Sequence, residues 1–266
     1  MSKHKVTLLL VTLLIVGCQR NSHHGALEVT YIGNEGFMIA MASTKVLIDC
    51  FPDSKYYVNP SDSLVAMMMD GLPPFDNIDY VLVTHDHPDH FNAGIMSRYL
   101  LRHPAVHFIA STETCSELGG DSLAAWRQAG VSLERGRHET IKGDKAEITV
   151  FRLDHGGYRD ITNLAYYVRA NGCAFVHVGD ARLSENQEFL QRMDWSGHDI
   201  DLLFIEHFDR GSEAQAIVQD LIQPKHVVLM HIPRGEENAV RNSDEKIHPR
   251  TVVFEKENEM RRFDDL

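Results

Sequence analysis

Apolar residues along the chain recur in two rhythms, every second position or every third to fourth, and these lay out most of the elements. Leu27 to Ile32, Gly36 to Met41 and Lys45 to Ile48 alternate as strands, with Gly33-Asn34-Glu35-Gly36 as the first turn. Asp79 to Thr84 is a short apolar run with the length of a buried strand. Strands follow at Val106 to Ala110 and Ala146 to Leu153. Leu164 to Arg169 and Ala174 to Val178 form a hairpin around Asn171-Gly172. Ile200 to Glu206 and Val227 to Met230 read as buried strands and Val252 to Phe254 as the last one, before a charged tail. Helical spacing marks Ser61 to Gly71 (Ser61 the N-cap), Ala93 to Arg102, a helix opening at Ser111 to Thr114, Asp121 to Ala129, and Ser212 to Leu221. Met67, Met68 and Met69 read as adaptable core filling. Glu139 to Lys145 reads as a turn-rich lead into the next strand. Phe51 to Pro60, with Tyr56 and Tyr57, reads as an irregular loop, a surface loop first and a lining for the mouth of a site second.

One short stretch breaks the apolar pattern with chemistry. His85 to His90 reads HDHPDH where the Asp79 strand runs into a loop, a common place for function. Imidazoles two apart, His85 and His87, can bend toward one ion, while Asp89 and His90 can face a second beside it. Zinc takes such nitrogen and carboxylate ligands, and catalytic sites keep a position open for water.

Thr84 to His90 matches the HxHxDH signature of the metallo-β-lactamase-fold hydrolases, and the chain resembles that family in further places. Asp49 closes Lys45 to Ile48, His155 follows Ile148 to Asp154, Asp180 follows Gly179, and His231 follows His226 to Met230. The resemblance covers about Leu27 to Phe254. It implies an α/β chain folded as an αββα sandwich of the metallo-β-lactamase type, one domain over residues 27–266, with the site at one edge between the sheets. It also implies two Zn2+ ions, ligand type alone leaving Mn2+ or Fe open. His85, His87 and His155 would hold the first metal and Asp89, His90 and His231 the second. Asp180 would be shared, and Asp49 would hold the metal loop from behind. A water between two such cations loses its proton near neutral pH and becomes the nucleophile. Asp89 would orient it or pass a proton to the leaving group.

The best-known zinc β-lactamases carry a cysteine where this chain resembles the family at Asp180. The aspartate resembles lactonases, glyoxalase-II-type thioesterases and phosphodiesterases instead. The Gly33 to Phe37 turn looks like the lactonase and N-acyl-phosphatidylethanolamine phospholipase D branch. The expected reaction is hydrolysis of an ester-type bond, phosphodiester or lactone and carboxylic ester, in a small-molecule or lipid substrate. Tyr158, Asn163 and His207 are candidates for substrate contact, whereas His177 reads as packed. The competing reading is a non-catalytic envelope lipoprotein that binds metal or ligand on the same fold.

Composition narrows the partners. At 266 residues, 43% hydrophobic and 24% charged, the chain has the make-up of a soluble globular protein. A formal charge of −12 argues against a nucleic-acid surface, which needs clustered Lys and Arg. Residues 1–17 read as an export signal, with Lys3 and Lys5 ahead of a twelve-residue apolar run from Val6 to Gly17, too short to span a bilayer comfortably. Leu14-Ile15-Val16-Gly17-Cys18 resembles a bacterial lipobox, implying cleavage before Cys18 and lipidation of its thiol, a stable membrane anchor. Residues 18–26 then form a polar tether. Gln19 favours the outer membrane in a two-membrane bacterium. Three other cysteines, Cys50, Cys115 and Cys173, allow at most one disulfide. Oligomeric state has no signature in the sequence.

Overall fold

The computed structural model describes residues 27–243 and 247–263, so the expected export signal, the tether and Cys18 lie outside the described residues. Among the described residues, thirteen strands alternate with short helices. They are β1 Leu27–Gly33, β2 Gly36–Met41, β3 Thr44–Ile48, β4 Tyr80–Leu82, β5 His107–Ile109, β6 His138–Lys142, β7 Glu147–His155, β8 Tyr158–Ala170, β9 Cys173–His177, β10 Leu202–Glu206, β11 His226–Met230, β12 Thr251–Val253 and β13 Met260–Phe263. The α-helices are α1 Asp62–Met69, α2 Ala93–Arg102, α3 Thr112–Ser116, α4 Ala124–Gln128, α5 Gln187–Arg192, α6 Ser212–Ala216 and α7 Glu237–Arg241. None of the helices described is long and apolar enough to cross a membrane.

The strands form a six-stranded sheet, β13-β1-β2-β3-β4-β5, and a seven-stranded sheet, β12-β11-β10-β9-β8-β7-β6. Period-two alternation explains how they stack. Leu27, Val29, Tyr31, Phe37, Ile39, Met41, Val46 and Ile48 face a core shared with Tyr166, Val168, Phe175 and Phe204 of the other sheet. Ile32, Met38, Ala40, Leu47, Val81 and Val83 point the opposite way, into a second core with Leu64 and Met68 of α1 and Met96, Tyr99 and Leu100 of α2. Phe37 and Phe204 meet across the sheets with ring centroids 4.8 Å apart, an aromatic pair worth about 0.5–1.5 kcal/mol beyond its burial. The layering is the αββα sandwich of the metallo-β-lactamase type.

Local chemistry accounts for the helix ends. Ser61 caps α1 by accepting from the Leu64 amide, and Asn92 caps α2 by accepting from Ile95. Met68 is fully buried, and Met67 and Met69 pack against the same core. Four expectations need correction. The Glu139 to Lys145 stretch is largely strand β6, and the charged tail carries β13, which pairs with β1. The single helix expected over Asp121 to Ala129 is a 3-10 turn, Asp121–Leu123, followed by α4. The helix expected over Ser212 to Leu221 changes after α6 into a π-helical stretch, Ile217–Ile222, closed by Gln223 in the left-handed region. Cys50 and Cys115 are buried thiols and form no bridge; Cys173 is buried in β9.

β3, β4 and β5 run parallel in one sheet, as do β9, β10, β11 and β12 in the other. The loops leaving β3, β4, β9, β10 and β11 carry Asp49, His85 to His90, Asp180, His207 and His231. Parallel strands need buried crossovers, so their apolar runs are continuous and their polar residues fall at the ends, where a site can form.

Candidate metal centre

Asp49 leaves β3 with φ +44°, a left-handed conformation that a non-glycine residue adopts only when its surroundings impose it. Its fully buried carboxylate accepts from the Thr84 amide at 2.8 Å and the Thr84 hydroxyl at 2.6 Å, and lies 2.9 Å from His90 Nδ1. One side chain thus pins both ends of the HDHPDH loop. The loop's own turn closes through the His90 and Phe91 amides on the His87 carbonyl.

Two sets of side chains converge above it. Ligand atoms of His85, His87, His155 and Asp180 lie within 4.8 Å of one another, as do those of Asp89, His90 and His231. Asp180 stands between the sets, with Oδ2 3.2 Å from His155 Nε2 and 3.8 Å from His85 Nε2, and Oδ1 3.0 Å from His90 Nε2. His231 Nε2 is 3.4 Å from Asp89 Oδ2. A bulge in the β7–β8 pairing at Asp154 and His155 re-aims the His155 ring. His231 follows β11 with φ +58°.

Burial and charge set the protonation of this cluster. Burial, with His90 beside it, holds the His85 imidazole well below its usual pKa. His90 goes the other way: against its burial, the charge and close approach of the Asp180 carboxylate, and then the Asp49 carboxylate at 2.9 Å, raise it. Asp180 stays ionised because, against its own burial, His90, His155 and His231 hold it well below the usual carboxylate range.

His85 Nε2, His90 Nε2 and Asp180 Oδ1 are buried without a hydrogen bond, the ion-pair contact between the last two notwithstanding. A buried polar atom left so costs about 1–3 kcal/mol. Three of them aimed at one space, among imidazoles and carboxylates, make a donor set that fits divalent cations such as zinc.

Two carboxylates here went unread in the sequence. Glu35, in the β1–β2 turn, is fully buried, its oxygens 3.8 Å from His90 Nδ1 and 3.9 Å from His231 Nδ1. Burial, and then the charge of Asp180, push its carboxyl well above its usual pKa. Glu206 ends β10 and lies 3.2 Å from His231 Nδ1. Tyr57, in the loop read first as surface and second as lining the mouth of the site, packs its ring 4.4 Å from that of His231, in keeping with the second reading. Burial and the charge of Asp89 push its phenol up to about 12, so it remains a proton donor at neutral pH.

The three substrate-contact candidates fare differently. Asn163 is fully buried, donating to the Val178 carbonyl at 3.0 Å and accepting from the Asp180 amide at 3.2 Å. This corrects the expectation: its amide is consumed in holding the Gly179-Asp180 turn. His207 is half-buried beside Phe208 and joins neither ligand set, and burial pushes its pKa down to about 4. Tyr158 opens β8 opposite His155, and its side chain lies outside what the structure describes.

His177 is buried as expected. Its Nε2 donates to the Glu35 carbonyl at 3.0 Å, its Nδ1 accepts from the Gly179 amide at 3.2 Å, and burial pushes its pKa down to about 4. An unfolded histidine titrates near ~6.5. Between ~6.5 and about 4 the unfolded chain therefore binds a proton that the folded chain refuses. The contribution is fully present above pH ~6.5 and is lost as pH falls through that window, by up to about 3 kcal/mol. Urea unfolding of metal-free protein at stepped pH should show this slope, and His177→Gln should flatten it; identical profiles would rule it out.

Over residues 44–232 the chain matches the Beta-lactamase superfamily domain. It is 25% identical over 205 residues to a UPF0173 metal-dependent hydrolase of Azorhizobium caulinodans, covering 76% of this chain and 72% of that protein. It is 28% identical over 211 residues to one of Pyrococcus furiosus, covering 77% and 84%. Its fold is similar to the metallo-beta-lactamase fold protein YhfI from Bacillus subtilis, with a TM-score of 0.61, 16% identity and coverage of 90% and 100%.

Proposed function

The chain belongs to the β-lactamase superfamily, and from that membership we propose that it is a metal-dependent hydrolase that holds two cations, zinc foremost, and cleaves an ester-type bond. The observation that carries this reading is the meeting of two ligand sets on one carboxylate, Asp180. When bound, two such cations supply an activated water and polarise the scissile carbonyl or phosphoryl oxygen.

The chain's own residues supply the rest. Against the pull of burial, the close approach of His231, with Nε2 3.4 Å away, and the charge of His90 hold Asp89 below the usual carboxylate range. It is therefore an ionised acceptor, partly exposed, able to take a proton from water and return it to a leaving group. Tyr57, protonated and beside His231, is placed to donate to a substrate oxygen.

The substrates proposed are phosphodiesters, or lactones and carboxylic esters. The aspartate at position 180 and the Gly33 to Phe37 turn support this choice through their likeness to the lactonase and phospholipase D branch. The test uses zinc-loaded protein beginning at Asn21, assayed on a chromogenic phosphodiester and on a lactone. Turnover of either that disappears in His85→Ala supports the hydrolase. Turnover of neither above that variant would sink it and leave a binding protein.

The proposed place of action is the cell envelope, with Cys18 lipidated. The basic start, the short apolar run and the lipobox-like Leu14 to Cys18 support it. Cells fed a labelled fatty acid should mark the native protein and leave Cys18→Ser unmarked; equal labelling, or none in either, would end the anchor proposal.

A further inference from the structure

The two ligand sets differ in what stands behind their imidazoles. In the Asp89, His90 and His231 set, both imidazoles face carboxylates on their Nδ1 side. His90 Nδ1 lies 2.9 Å from Asp49 Oδ2, and His231 Nδ1 lies 3.2 Å from Glu206 Oε1. The buried Glu35 carboxyl group stands 3.8 Å and 3.9 Å from the same two nitrogens. In the other set, His85 Nδ1 lies 3.1 Å from the Thr84 hydroxyl and His155 Nδ1 3.1 Å from the Gly156 carbonyl, both uncharged groups.

Sheet register explains how Glu206 reaches its partner. β10 and β11 run parallel with Glu206 opposite Met230, the residue before His231. The last side chain of one strand therefore stands beside the first residue after the next. Glu206 is almost fully buried, and its second oxygen lies 3.9 Å from Arg182 Nε.

We infer that Glu206 is the positioning residue of His231, accepting its Nδ1 proton so that Nε2 is left bare toward Asp89, and that with Asp49 it makes the Asp89, His90 and His231 position the tighter of the two cation positions. A carboxylate on one imidazole nitrogen fixes the tautomer and ring orientation and raises the basicity of the other nitrogen. Fixed negative charge close behind the ligands attracts a cation strongly where water is excluded. The inference rests on the two-cation reading but not on any substrate.

The test is a Zn2+ titration of the metal-free full-length chain against a chromophoric chelator, which counts ions and ranks their affinities without turnover. The native chain should take up two ions of unequal affinity. His87→Ala should lose the weaker ion and keep the tighter. Glu206→Ala should weaken the tighter ion about 10–100-fold and leave the weaker unchanged. Glu206→Gln, which retains an acceptor oxygen, should recover most of that loss. If Glu206→Ala fails to fold, Glu206→Asp, one methylene shorter, reads the same contact. Equal weakening of both ions, weakening of the weaker one alone, or no change in Glu206→Ala would overturn the proposal. A native chain that binds no zinc would remove the two-cation reading and this inference together, whereas two bound ions with an indifferent Glu206 would remove only this inference.

Discussion

Replacing Asp180 with asparagine is expected to lower turnover by about 10³-fold or more and to leave at most one firmly bound ion. The substitution keeps the size of the side chain and removes only its charge. That charge is the one feature both ligand sets share, within 3.0–3.8 Å of His90, His155 and His85. Metal-based charge stabilisation is worth several kcal/mol, and each ~1.4 kcal/mol is tenfold in rate. The metal-free variant should also be less stable than the native chain at neutral pH. Asp180 is held well below its usual pKa in the fold, so its ionised form is favoured there, and that contribution is present above the unfolded carboxylate pKa of ~3.9. The largest contrast should appear in melting with and without zinc. Ligand at about 1,000 times its Kd adds about 4 kcal/mol to the native state, and the variant should gain much less. Two ions retained at native affinity, with native turnover, would show that Asp180 is not shared.

Much of this centre was legible because its residues sit where the apolar pattern stops. β4, β9 and β11 are buried along nearly their whole length, so their runs end abruptly, and His85, Asp180 and His231 follow within three residues of those ends, whereas His155 closes β7, whose residues alternate between buried and half-exposed. Glu35 and Glu206 escaped because their positions already had ordinary explanations, one in a Gly-rich turn and the other at a strand end. A buried carboxylate announces itself only through three-dimensional neighbours. Asn163 was misread for the opposite reason: it follows His155 closely in sequence and seemed free to reach substrate, yet it lies mid-strand in β8 with its amide turned inward. β6 and β13 are edge strands with mostly exposed or half-exposed residues, so neither shows the alternation that reveals a half-buried strand.

Gly179→Ala tests how the two halves of the centre are joined. Gly179 has φ +58°, where a side chain costs about 1–2 kcal/mol. The added methyl would also run into Asn163 Oδ1 and come within 2.8 Å of Thr84 Cβ. Those neighbours are the residues that place the ligands: Asn163 holds the Asp180 amide, and Thr84 ties the HDHPDH loop to Asp49. The two are themselves linked, since the Leu164 amide donates to the Thr84 carbonyl at 2.8 Å. Forcing a methyl between them adds an overpacking cost of about 1–3 kcal/mol. The expected total is about 2–5 kcal/mol of lost stability, read by urea unfolding. Turnover should fall about 10²-fold in the fraction that remains folded, because displacing Asp180 by about 1 Å disturbs both ligand sets at once. Gly157→Ala is the control. Gly157 also has positive φ, +81°, but a methyl there meets nothing within 4 Å. It should carry only the conformational cost of about 1–2 kcal/mol and keep near-native zinc affinity. If the two variants lose stability and zinc equally, the effect is backbone strain alone, and the close fit around Gly179 does not hold the centre together.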